Sequence, residues 1–190
     1  MGSGKTTVAE ILREKGFDAI DVDCFSKELI NKDNNVKRKL CSLINNKAVY
    51  NNQVDFKYIG KYFDENFDIE KQFEKWYQPY LGLKIKEKFL SRKNSKLLFF
   101  DIPLLEEKNI VDLFDEIWLI ETAKMLSLQR IKIRNNYKEE KIKRLLEESI
   151  VKIAIEDKPY QRLSNNVSKE DLVTLVENKL KTIEKNFTSI

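Results

Sequence analysis

Apolar and polar positions follow two different periods along the chain. Between Lys5 and Lys15, Val8, Ile11 and Leu12 recur at the spacing of one helix face, and Gly16 supplies a C-terminal stop. Phe17–Asp21 then reads as a short strand, and Asp23–Ile30 as a second helix with Phe25 and Leu29 on one side. Residues 31–52, rich in Asn and Lys, predict helix fragments and loops. From Gly60 to Leu90 a helical pattern carries Tyr62, Phe63, Phe67, Phe73, Trp76, Tyr77 and Tyr80. An aromatic stripe of this kind predicts core more readily than a ligand box, and Pro79 is expected to start or kink a helix there.

Two continuous apolar runs follow. Lys96–Asp101 (KLLFFD) and Glu116–Ile120 (EIWLI) each suit a strand buried on both faces of a parallel sheet. Between them lie Pro103-Leu-Leu-Glu-Glu and a short predicted helix. Met125–Arg134 reads as a basic helix and Glu139–Ile155 as a strong one. Ser168-Lys-Glu-Asp171 has the form of a capping box with Asp in the last place, and Leu172, Leu175, Val176 and Ile183 mark the buried face of the helix it opens. Strands alternating with helices predict an α/β fold, a parallel sheet with helices on both sides.

Composition narrows the chemistry. The 190 residues are enough for one domain, with or without an inserted lobe, and 42% hydrophobic with 35% charged residues predicts a folded protein. The net charge of +4 is too mild to call for a nucleic-acid partner, and a basic cleft for phosphates accounts for it. The chain has no histidine, which removes histidine bases, Ser-His-Asp triads and histidine metal ligands. Cys24 and Cys41 form no CxxC pair, so neither a zinc site nor a structural disulfide is expected, and a cytoplasmic location fits. No signal peptide and no apolar run of about 18 residues appears, so no membrane span is expected.

Two of the five glycines fall in the first four residues. Met1-Gly2-Ser3-Gly4-Lys5-Thr6-Thr7 matches the last part of the Walker A pattern, G-x-x-x-x-G-K-[ST]. Glycines let backbone N–H groups turn inward around phosphate oxygens, and the following helix presents its positive end to the same anion. On this reading Gly2, Ser3, Gly4, Lys5, Thr6 and Thr7 cradle ATP, Lys5 reaches the β- and γ-phosphates, and the Thr6 hydroxyl ligates Mg²⁺. The first glycine of the pattern would fall one residue before Met1, and the strand that launches such a loop would precede the chain, so the sequence reads as clipped at its start. A chance glycine-rich turn and a real but crippled loop are the alternatives.

Three further features could serve this chemistry. Asp21 and Asp23, two apart at the end of a predicted strand, point to the same side of an extended chain. A carboxylate there suits the base that takes the proton of an attacking hydroxyl, and a solvated turn with a helix cap is the plainer account. Asp101, closing a strand of Leu and Phe, suits a second Mg²⁺ ligand or a turn cap. Arg130 and Arg134, four apart, share a helix face, as a phosphate-closing lid requires and as many solvated helices also do.

Taken in order, these segments resemble the dephospho-coenzyme A kinase family. GSGKTTVAEILREKGFDAIDVD is similar to its phosphate loop, first helix and Asp-x-Asp strand end, and FFDIPLLEE to its strand followed by Pro-Leu-Leu and an acid. LQRIKIRNN resembles its lid, WYQPY stands where a His-Pro pair is usual, and Asn165-Asn166 where an Asn-rich turn precedes the last helix. The resemblance implies a P-loop NTPase-type domain over residues 1–190, with a helical acceptor lobe near 55–95 and a lid near 128–150. It implies transfer of the ATP γ-phosphate to the ribose 3′-hydroxyl of dephospho-coenzyme A, with Asp23 as base, Lys5 on the phosphates, Thr6 on Mg²⁺, and Arg130 and Arg134 closing from the lid. The chain departs from the family pattern at Gln78 (usually His), Asn135 (usually Asp), Ser149 (usually Gln) and Val167 (usually Gly). Another small nucleotide or nucleoside kinase, and a non-catalytic nucleotide-binding protein, remain as alternatives.

Overall fold

In the computed structural model, residues 3–92, 97–102, 110–135 and 160–188 are described. The chain divides into two compact units, Met1–Ile20 with Lys96–Asp101 and Phe114–Ile190, and Asp21–Ser95 with Ile102–Leu113.

The first unit is built on helix α1 (Lys5–Glu14), strand β1 (Asp18–Asp21), whose last residue already belongs to the second unit, and the strand Leu98–Asp101 that pairs with β1. It adds the strand Ile117–Glu121, helix Lys124–Asn135, strand Tyr160–Ser164 and helix Lys169–Thr188. Numbered along the chain, these strands are β4, β5 and β6, and these helices α6 and α7. Strands β5 and β6 run parallel, from Ile117 opposite Tyr160 to Glu121 opposite Ser164. Helix α1 buries the predicted stripe, Val8, Ile11 and Leu12, against Leu172, Val176 and Leu180 of α7. Removing each such side chain from water contributes about 1.5–3 kcal/mol. Phe17, Phe99 and Trp118 close this core, with Phe99 edge-on to Phe17 at 5.7 Å and tilted against Trp118 at 5.8 Å. Gly16, at φ 85°, lets the chain leave α1 in the left-handed conformation that a side chain would resist. Ser168 caps α7 as its sequence predicts: its Oγ accepts from Asp171 N at 3.1 Å and donates to the Asp171 carboxylate at 2.8 Å.

The second unit holds helices α2 (Val22–Lys32), α3 (Asn34–Leu43), α4 (Phe56–Glu65) and α5 (Phe67–Leu90) and the short strands β2 (Val49–Tyr50) and β3 (Gln53–Val54). Where only helix fragments and loops are expected, β2 and β3 form an antiparallel hairpin across Asn51 and Asn52, both at positive φ. Asn tolerates that conformation better than most residues, and two such residues in succession make the tight turn that hairpins prefer. The buried Lys37 ammonium donates to Asn52 O at 2.6 Å and Asn52 Oδ1 at 2.8 Å, fixing the turn from beneath. Pro79 neither starts nor ends a helix; it lies inside α5. The aromatic stripe divides: Phe73 and Tyr77 are buried and stack at 5.2 Å, Trp76 and Tyr80 stack at 5.1 Å half-buried, and Phe67 is exposed. Strand β6 is unforeseen, because only Leu163 of its five residues is buried and its pattern is polar.

Candidate functional site

The turn Ser3–Gly4 delivers the chain into α1, with Gly4 at φ 90° as its N-cap. Asp21, Asp33 and Asp55 cap α2, α3 and α4 through their carboxylates, and Ser168 caps α7. Helix α1 instead begins with no side-chain cap and no acid in its first turn. Its leading N–H groups and the positive end of its dipole therefore suit an external anion. Lys5 and Thr7 are half-buried in that first turn and Thr6 is exposed.

Lys5 Nζ is ion-paired with the Asp101 carboxylate. Asp101 closes β4, and its side chain is only 4% exposed, while that of Lys5 is 37% exposed. The spacing of 96 residues in sequence collapses into direct contact because β4 ends beside the start of α1, so the two site residues proposed on separate grounds meet. Hydroxyl and carboxylate oxygens at these two positions, Thr6 and Asp101, are the hard donors that Mg²⁺ takes. Among the described residues no group of three or more His, Cys, Asp or Glu side chains is placed to hold a metal.

A third layer lies behind the glycine turn. Asn165, 4% exposed, donates from Nδ2 to Ser3 O at 2.7 Å and from its backbone N to Glu121 O at 2.7 Å. The Thr122 hydroxyl lies 3.0 Å from Ser3 O and 3.1 Å from Asn165 O, sharing one proton between them. Arg130, in α6, donates to Thr122 Oγ1 and to Asn165 O, each at 3.3 Å. Thr122 carries no motif and was missed by sequence reasoning. Asn165 was noticed only for its resemblance, and the turn it makes gives no direct signal of what its amide touches.

The remaining predicted residues fall elsewhere. Asp21 and Asp23 are not side by side on a strand: Asp21 ends β1 and caps α2, accepting from Cys24 N at 2.9 Å, while Asp23 is exposed in the first turn of α2, in the second unit. The helix-cap account thus applies to Asp21 and leaves Asp23 unspent as a cap. Arg134 lies one helical turn after Arg130 in α6. Gln78, in α5, has a buried Oε1 with no hydrogen-bond partner among the described residues. Gly2, the Pro103-Leu-Leu-Glu-Glu segment, Ser149, the helix expected at Glu139–Ile155 and the later part of the expected lid lie outside the described residues.

The family model described as dephospho-CoA kinase matches residues 1–183. A dephospho-CoA kinase of Fusobacterium nucleatum is 29% identical over 189 residues, covering 96% of this chain and 94% of that one. One of Streptococcus agalactiae serotype Ia is 30% identical over 142 residues, 74% of this chain and 73% of that one. Among solved structures, a dephospho-CoA kinase from Campylobacter jejuni superposes with a TM-score of 0.68 at 24% identity, over 98% of this chain and 94% of that one. A Thermus thermophilus protein gives a TM-score of 0.73, also at 24% identity, over 98% and 93%. These two carry the α/β architecture of parallel strands and helices, and the family match over nearly the whole length carries the assignment: the chain belongs to the dephospho-CoA kinase family.

Proposed function

We propose that the chain transfers the γ-phosphate of ATP to the ribose 3′-hydroxyl of dephospho-coenzyme A, the last step of coenzyme A synthesis. The observation that carries the reading is the uncapped start of α1 with Lys5 paired to Asp101, in a chain whose family is that of dephospho-CoA kinases. The backbone N–H groups of residues 2–7 and the Lys5 ammonium would bind the triphosphate, Lys5 exchanging part of its contact with Asp101 for phosphate oxygens. Thr6 and Asp101 would hold Mg²⁺, which when bound neutralises phosphate charge. Arg130 and Arg134, from α6, would face the charge that builds on the transferring group. The second unit, including the helices within residues 55–95, would receive the acceptor.

The step balances simply. The 3′-oxygen forms a bond to the γ-phosphorus, the bond from that phosphorus to the β,γ-bridging oxygen breaks, and ADP departs. The hydroxyl proton passes to the Asp23 carboxylate, which the structure leaves exposed and uncommitted to a cap, and then to solvent. A cytoplasmic location follows the reaction, and no described helix is long and apolar enough to cross a membrane.

The test is ATP-dependent conversion of dephospho-coenzyme A to coenzyme A by the full chain, followed by ADP release and product mass. Asp23→Asn is expected to lower kcat by about 10²–10⁴-fold with the fold intact, the usual worth of a positioned base. A preference for a nucleoside or nucleoside monophosphate as acceptor would overturn the substrate, and an unchanged kcat in Asp23→Asn would overturn the base.

A further inference from the structure

A loop that turns its N–H groups toward an anion must turn its carbonyls the other way. Each such carbonyl needs a partner of its own, because an unpaired buried acceptor costs free energy. Ser3 O is the carbonyl in question, and it receives Asn165 Nδ2 at 2.7 Å and the Thr122 hydroxyl at 3.0 Å. The peptide unit is planar and trans, so its C=O and N–H point in opposite directions. Pinning Ser3 O therefore also fixes the direction of the Gly4 N–H.

We propose that Asn165 is a positioning residue for the phosphate loop: its amide, assisted by Thr122, pins the Ser3 carbonyl outward and so aims the Gly4 N–H at the phosphates. The proposal rests on the reading of residues 2–7 as the ATP phosphate loop. Asn165 is fit for the role because it is itself immobilised. It is 4% exposed, its N–H bonds Glu121 O at the end of β5, and its carbonyl accepts from Arg130 at 3.3 Å. A Cβ at Gly4 would lie 1.9 Å from Asn165 Nδ2, so the asparagine occupies the space that a side chain would take. The glycine is thus required by two independent features, its φ of 90° and this approach. Arg130 bonds both Thr122 and Asn165, which ties helix α6 to the same point.

The experiment compares wild type with Asn165→Ala, Asn165→Asp, Thr122→Val and Lys5→Ala. It reads equilibrium affinity for a non-hydrolysable ATP analogue, KM for each substrate, and nucleotide-free melting temperature. Asn165→Ala is expected to weaken the ATP analogue about three- to tenfold, the worth of one hydrogen bond, while KM for dephospho-coenzyme A stays unchanged. Asn165→Asp should weaken it more, because it sets a carboxylate oxygen against Ser3 O. Thr122→Val should weaken it less, and the Thr122→Val/Asn165→Ala double variant should depart from additivity, since both donors serve one carbonyl. Ser168→Ala, in the cap of α7, is the control for lost stability alone and should leave nucleotide affinity unchanged. An ATP affinity within twofold of wild type in a folded Asn165→Ala overturns the proposal; should that variant fail to fold, unchanged affinity in Thr122→Val overturns it instead. Lys5→Ala separates the two levels: if it leaves ATP binding intact, the phosphate-loop reading itself fails.

Discussion

Lys5 and Asp101 are unequal partners. The Asp101 side chain is 4% exposed and that of Lys5 37%, so each loses something different if the other is removed. Lys5→Met strands a buried carboxylate, whereas Asp101→Asn leaves an ammonium that water can reach. Lys5→Met is therefore expected to destabilise the protein by about 1–3 kcal/mol, discounted from the cost of breaking a fully buried pair because Lys5 is partly solvated. Asp101→Asn should cost less, and the double variant less than the sum; urea denaturation measures all three, and equal losses from the two single variants would refute the asymmetry. Both members were legible in the sequence, Lys5 from the glycine turn and Asp101 from the carboxylate that ends an apolar strand. The two aspartates after β1 were not separable there, since a cap and a base need the same residue type at the same kind of turn. What makes Asp21 the cap is a backbone event: the helix starts at Val22, one residue before Asp23. What Asn165 and Thr122 touch was illegible for a different reason. A polar residue in a turn has many possible partners, and only tertiary structure places Ser3 O between these two.

At the scale of elements, the helix that carries Asp23 is tied to α5 through a buried phenol. Tyr77, 5% exposed in α5, shares a 2.8 Å hydrogen bond with Ser26 Oγ and donates to Ser26 O at 3.2 Å, so α5 grips α2 one turn beyond Asp23. Burial pushes the phenol up to about 12; Ser26 opposes the shift, and the charges of Asp33 and Tyr80 add to it. The folded state thus keeps its proton where the unfolded chain, near 10, has begun to lose it. Stability from this group is complete below about pH 10 and falls as the pH rises toward 12. Tyr77→Phe should cost about 1 kcal/mol at neutral pH and flatten the alkaline decline relative to wild type, as read by denaturation from pH 8 to 12. A parallel decline in the two proteins would show that the phenol's titration does not govern it. The helices themselves were read from periodicity because α1, α2 and α5 each carry a continuous apolar face. The hairpin and β6 escaped because two- and five-residue strands with at most one buried residue apiece present no period to read.

Across the whole molecule the chain passes between its two units after Ile20, Ser95, Asp101 and Leu113, so neither unit is one continuous stretch. Periodicity shows that a helix has a buried face but not which unit it is buried in, and α1, read from its stripe, and α3, where only fragments and loops are expected, each bury one. Their cores differ: α1 packs with α7, and α3 with α2 and α5. The proposed roles divide along the same line, the phosphate loop, Asp101 and Arg130 lying in the first unit and Asp23 in the second. Ligand linkage turns that division into a measurement. A ligand at a hundredfold excess over its Kd stabilises what it binds by about 2.7 kcal/mol, and amide exchange reports where that stabilisation is felt. A non-hydrolysable ATP analogue should slow exchange most in α1, at residues 163–166 and in α7, with little change in α3 and α4. Dephospho-coenzyme A should do the reverse, protecting segments within residues 21–95 and leaving α7 near its free rate. Equal protection of α3 and α7 by the nucleotide alone would mean that the two units open as one cooperative body. In that case nucleotide and acceptor would each stabilise the entire chain, and the assignment of one ligand to each unit would have to rest on substitutions rather than on exchange.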